Sequence, residues 1–201
     1  SFVDACPVPI IWIDHHSPHE LNGVMYFNPR IRKKDSNIPT TYMCYNVVKQ
    51  DLWIAALGSI ADYYIPDFLD DFKAQYPNLM GNEKTIGDIY FTTKLGALIK
   101  IFSFCLKGKT QEVMKNIKIL TRIKTPYEIL NQETAAGKFI YKRFEKLNKI
   151  YDDMLKDAVK AATKDNLLVF TYDDNKMSFT GDIANELLYK FPDKVILVGR
   201  K

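Results

Sequence analysis

Pro9-Ile10-Ile11-Trp12-Ile13-Asp14-His15-His16-Ser17-Pro18 is the stretch whose reading decides the fold. A short unbroken apolar run leads directly into one carboxylate and two imidazoles, and Pro18 then stops regular structure. A continuous, Ile-rich run reads as a strand buried on both faces, as in a parallel sheet. In open α/β sheets, functional side chains gather at the carboxyl ends of the strands, which is where Asp14, His15 and His16 fall. Imidazole and carboxylate together suit Mn, Fe, Co or Zn, and a neighbouring carboxylate commonly fixes the tautomer of a liganding histidine. A polar loop whose histidines only cap a turn is the alternative reading. His19, the remaining histidine, lies further along the same loop.

Ile11-Trp12-Ile13-Asp14-His15-His16 resembles the signature of the DHH phosphoesterase superfamily, and the aromatic residue within it resembles the archaeal RecJ-like branch. Asp51-Leu52-Trp53-Ile54-Ala55-Ala56-Leu57-Gly58-Ser59-Ile60-Ala61-Asp62 is similar to the later family motif that ends in a metal-binding aspartate, and Asn28-Pro29 is similar to the family's Asn-Pro loop. The resemblance implies His15 and Asp62 as metal ligands, Asp14 as a ligand or the anchor of one, and His16 beside the metal or the scissile phosphate. It implies a pair of Mn²⁺ ions, or Mg²⁺ in their place, activating a water for phosphodiester hydrolysis. The family's first Asp-x-Asp motif, a further aspartate and the glycine-rich histidine motif of its C-terminal domain have no counterpart within Ser1–Lys201. The expectation is therefore a middle portion of the pattern: a fragment, a processed product or a split protein, with a second chain or segment supplying the absent aspartates.

Composition bounds these ideas without choosing among them. The chain has 201 residues, 47% hydrophobic and 26% charged, with a net charge of +4, as in an ordinary globular protein. A mildly basic balance is compatible with a polyanionic partner but does not demand one. Cys6, Cys44 and Cys105 form no CxxC pair, so zinc knuckles and redox motifs are unsupported, and buried free thiols in a reducing cytoplasm are expected. The apolar N-terminus lacks a basic leader region, and Leu95–Leu106 is too short to span a bilayer, so no membrane association is expected.

Further along, Val24–Phe27 reads as a second strand, and Asn28, Arg30, Arg32, Lys33 and Lys34 form a candidate phosphate-binding loop, with plain solvated charge as the alternative. Thr40 and Thr41 open a helix, and Asp51 is placed to cap the next one through its carboxylate. Residues 65–133 read as a helical insertion, broken at Tyr76-Pro77-Asn78 and Lys107-Gly108-Lys109. Thr125-Pro126-Tyr127-Glu128 has the pattern of a capping box. Between Thr134 and Thr163, Ile140, Phe144, Leu147, Tyr151, Met154, Ala158 and Ala161 make a narrow apolar seam. That seam suits a connector helix better than a coiled-coil dimer, because its end is only alanine. From residue 164 the pattern is strand, helix, strand, and Gly181–Leu188 resembles the opening of the family's C-terminal substrate-binding domain.

The fold expected is thus α/β: a parallel-sheet DHH domain incomplete at its N-terminus over 1–64, a helical insertion over 65–133, a connector helix over 134–163 and the start of a second α/β domain over 164–201. The function implied is a RecJ-like exonuclease on single-stranded DNA or RNA, with DNA replication or repair proteins as partners. Small-substrate phosphodiesterases of the nanoRNase or phosphoadenosine-phosphatase type, and a non-catalytic RecJ-like replication scaffold, are the alternatives. Type II pyrophosphatases share the histidine motif, but the second half of the chain does not resemble theirs.

Overall fold

A computed structural model describes residues 2–20, 22–173 and 177–201. Among the described residues the architecture is mixed α/β, with helices and two two-stranded parallel sheets. The chain divides into two compact units, Ser1–Ile86 and Gly87–Lys201.

In the first unit a short helix α1 (Phe2–Ala5) precedes β1 (Ile11–Ile13), which pairs in parallel with β2 (Met25–Phe27) in the register Ile11↔Met25, Trp12↔Tyr26, Ile13↔Phe27. The expectation that β1 is buried on both faces is not met. Ile11 is 67% exposed, and Met25 and Phe27 are more than half exposed. Ile11, Ile13 and Phe27 instead line an apolar trough of about 550 Å³ with Ile38, Tyr42 and Val47.

A 3₁₀ turn (Pro29–Ile31) then leads to α2 (Thr40–Val48), α3 (Leu52–Ala61) and α4 (Leu69–Gln75). Lys49 and Asp51 both take left-handed backbone conformations, with φ of 51° and 55°, which reverses the chain sharply between α2 and α3. Asp51 does occupy the cap position of α3, but its carboxylate makes no capping bond. Its carbonyl receives Ile54 N and Ala55 N instead. The tight reversal replaces the extended conformation that a side-chain cap requires. Trp53, Ala56 and Ile60 on α3 and Phe72 on α4 are buried, and Phe68 packs against the rings of Tyr42 and Tyr45. A Cβ at Gly58 would lie 2.5–2.9 Å from the side chain of Thr41, so glycine lets α2 lie close on α3.

From Ile86 onward the chain forms α5 (Ile86–Thr92), α6 (Lys94–Cys105), α7 (Thr110–Leu120), α8 (Pro126–Leu130), α9 (Ala135–Lys160), β3 (Leu167–Tyr172), α10 (Thr180–Lys190) and β4 (Val195–Arg200). An internal repeat underlies its helices. Thr85…Asp88-Ile89…Thr93…Gly96…Ile99 recurs as Thr125…Glu128-Ile129…Thr134…Gly137…Ile140. In each copy the second threonine caps a helix by accepting the glycine amide at 3.1 Å. The glycine is needed in each, since a Cβ would collide with the carbonyl of Tyr90 in one copy and of Glu128 in the other. The capping box at Thr125 and Glu128 forms as its pattern predicts.

The seam of α9 is filled within the chain. Leu147, Tyr151, Met154 and Ala158 join Phe104, Leu168, Phe179, Ile183 and Leu187 in one core, so the apolar stripe is satisfied without a coiled-coil dimer. β3 and β4 pair in parallel from Leu167↔Val195 to Tyr172↔Arg200, with α10 as the crossover. Leu168 and Tyr172 face the core, while Leu167, Val169, Val195 and Leu197 are exposed on the other side. The cysteines are all free, but only Cys105 is buried, and burial pushes its thiol up to about 11. Cys6 and Cys44 are half-buried, contrary to the expectation for all of them. No helix of the described residues is long and apolar enough to cross a membrane.

Candidate functional site

β1 delivers Asp14 into a buried position, where its amide donates to Phe27 O at 3.0 Å. The Asp14 Oδ1 atom then accepts from His15 N at 2.8 Å and from His16 N at 3.2 Å, closing a turn on its own side chain. His16 Nδ1 lies 2.8 Å from the same oxygen, and donates to it when it carries the proton. The His16 ring bond leads, with the backbone amides behind it, in holding the Asp14 carboxyl down at about 2, while burial opposes the shift. Asp14 is therefore the anchor of this loop. In this turn the capping group is the Asp14 carboxylate, and the imidazole of His15 takes no part in it.

His15, with its side chain 19% exposed, places Nε2 at 4.0 Å from Asp62 Oδ2. Asp62 is the C-cap of α3 and comes from far along the sequence, so the close approach is made by the fold. At 4.0 Å the pair is too far apart for a hydrogen bond. Two donors of one metal ion lie about 3 Å apart at a right angle and about 4.2 Å apart across it, given ligand distances near 2.1 Å. The 4.0 Å separation lies inside that range, near its upper end. A full centre needs more, and no group of three His, Cys, Asp or Glu side chains among the described residues is arranged to hold a metal. The residues present fit a part of the coordination shell and not the whole of it.

The other expected site residues divide. The buried Asn28 donates to His16 O at 3.0 Å and to Tyr26 Oη at 2.8 Å, and accepts from Arg30 N at 2.9 Å. Its amide is committed to holding the histidine loop against β2. Arg30 donates through Nε to Ser36 O at 3.0 Å, and Arg32, Lys33 and Lys34 are exposed. His19 stacks on Trp12, with ring centroids 6.3 Å apart.

Sequence reasoning did not foresee a second polar cluster, in the second unit. A cavity of about 250 Å³ is lined in part by Lys100, Tyr151, Asp182 and Glu186. Tyr151 Oη donates to Glu186 Oε2 at 2.7 Å, Lys100 Nζ lies 4.0 Å from the Tyr151 ring centre, and Lys107 pairs with Asp182 at 2.8 Å. Burial and the facing Glu186 carboxylate push the Tyr151 hydroxyl far up. The i, i+4 spacing of Asp182 and Glu186 was the readable signal, since it places both on one side of α10. Their charges are answered internally, so the cluster fastens α6, α9 and α10 together.

No protein-family model matches this chain, and no curated protein matches it.

Proposed function

We propose that the protein is a metal-dependent phosphoesterase of the DHH type, a RecJ-like exonuclease acting on single-stranded DNA or RNA, with Mn²⁺ or Mg²⁺ held in part by His15 and Asp62. The single observation that carries this reading is the convergence of His15 Nε2 and Asp62 Oδ2 to 4.0 Å from separate motifs. The anchored loop supports it. Asp14 fixes the backbone of His15 and His16, and Asn28 holds His16 from the other side, so the His15 ring is presented at small entropic cost. Arg32, Lys33 and Lys34, exposed on the same unit, supply positive charge for a phosphodiester. A divalent ion here would supply charge stabilisation at the reacting phosphate, and it needs donors beyond this pair. Replication or repair proteins would be the natural partners of such an enzyme. A second reading, a non-catalytic scaffold of the same family, is favoured by the lack of a three-ligand group among the described residues.

Elemental analysis for Mn after dialysis, paired with Mn²⁺-dependent hydrolysis of a labelled single-stranded oligonucleotide, separates the two. The expected result is bound Mn²⁺ and hydrolysis, with His15→Ala and Asp62→Ala each lowering the rate at least about 100-fold at unchanged circular dichroism. Full activity in either variant would remove the site assignment. Neither ion nor hydrolysis in the wild type would leave the scaffold reading in its place.

A further inference from the structure

The charge of this protein is concentrated in one place. Residues 107–149 carry eleven lysines and arginines against four glutamates, a net +7 where the whole chain is +4. The remainder of the chain is therefore net negative, at −3. Three of the four glutamates are engaged locally. Glu112 pairs with Arg143 at 3.0 Å, Glu128 accepts from Lys124 N, Thr125 N and Thr134 Oγ1, and Glu133 accepts from Asn131. Among the described residues, Lys115, Lys118 and Arg122 have no carboxylate within 4.0 Å. Unanswered like charge destabilises a compact state through self-repulsion, which a polyanionic partner relieves.

These three cations share one side of α7 and its C-terminal turn. With Gln111, Met114 and Ile119 they line a shallow groove of about 580 Å³. Lys115 and Arg122 are separated by about 10 Å along the helix axis, at 1.5 Å per residue, a span that matches a few backbone phosphates. Lys115 Nζ sits 5.0 Å over the ring of Phe139, a partly exposed aromatic in the first turns of α9, near the exposed Lys138, Lys142 and Lys146. Hydrogen bonds tie this surface down. Buried Asn116 donates to Cys105 O at 2.8 Å, and Arg143 Nη2 donates to Lys107 O at 3.1 Å, which fixes α7 at both its inner face and its leading loop. Val113, Ile117 and Leu120 are partly buried, so α7 keeps no free apolar face of the kind that lies in a lipid surface.

We infer that the outer face of α7, with the first turns of α9, is a docking track for the phosphodiester backbone of single-stranded nucleic acid. Cations follow the phosphates, and Phe139 and Met114 offer apolar surface to unstacked bases. This binding does not depend on hydrolysis at His15 and Asp62, and goes beyond the function proposed above.

The test is fluorescence anisotropy of a labelled oligothymidylate with the whole chain in EDTA, across a salt series. The expected result is binding that weakens at least tenfold at low salt in the triple variant Lys115→Gln, Lys118→Gln, Arg122→Gln. The slope of log K against log salt should fall by about 2, from three contacts at about 0.7 each. The variant Lys115→Arg, Lys118→Arg should bind like the wild type, and so should Lys156→Gln, Lys160→Gln, Lys164→Gln, a control of equal charge loss. Equal weakening in the triple variant and the control would overturn the assignment. So would an unchanged oligonucleotide affinity accompanied by lost binding to phosphatidylserine vesicles. Because no metal is present, a chain that binds here but fails to hydrolyse with Mn²⁺ keeps this track and loses only the catalytic reading.

Discussion

β1–β2 and β3–β4 are both parallel pairs written in continuous apolar sequence, yet three residue pairs register the first and six the second. In the second unit one face of the sheet is pressed on α9 and α10, where Leu168, Tyr172, Ile183 and Leu187 are almost fully buried. In the first unit Ile11, Met25 and Phe27 remain mostly in solvent, and the end of β1 is held by hydrogen bonds to Asp14 and Asn28. The difference is between order made by packing and order made by a polar turn. A candidate site belongs with the second kind, since a polar turn can present a side chain such as His15 without burying it fully.

Two glycines sharpen that comparison most. Gly137→Ala drives a methyl into the backbone carbonyl of Glu128, which cannot step aside, and should cost about 3 kcal/mol in urea denaturation. The nearest atoms that Gly58→Ala meets belong to the side chain of Thr41 rather than to backbone, and alanine's better helix propensity offsets part of the clash, so its cost should be smaller, about 1–2 kcal/mol. Equal losses would mean that the helices of the first unit are packed as tightly as those of the second. Tyr151→Phe removes the hydroxyl that Glu186 accepts in the core of the second unit, and should cost about 1.5–3 kcal/mol. A loss of a few tenths would show that Lys100 and Lys190 alone satisfy the carboxylate.

A further effect, in the polar turn, depends on pH. Asp14 titrates at about 2 in the fold against an ordinary value of 3.8, so its contribution is complete above the ordinary value and is lost as pH falls toward 2. Urea midpoints of wild type and Asp14→Asn should differ at pH 7 and converge between about pH 4 and pH 2. A gap that persists undiminished at the acid end would place the stabilisation elsewhere than on the charged carboxylate.

The secondary structure was largely legible. The strands around Trp12, Tyr26, Val169 and Leu197, the Thr125 capping box and the helix from Thr134 all follow from local chemistry that acts within a few residues. Asp51 was misread because its cap bond depends on a backbone conformation that the reversal after α2 imposes. The repeat of threonine, acid, threonine and glycine in α5–α6 and α8–α9 was present in the sequence. It becomes meaningful only once each glycine is seen under a carbonyl.

By itself the sequence determined the periodicities, the caps and the pairing of imidazole with carboxylate after β1, because these are short-range properties of the chain. Only the tertiary structure decided that Asp62 meets His15, that Asn28 turns inward, that one face of each sheet stays exposed and that Asp182 and Glu186 find lysines and a tyrosine. Burial and pairing are relations between residues far apart in sequence. A run of apolar letters states what would be stable if covered, and the fold decides whether anything covers it.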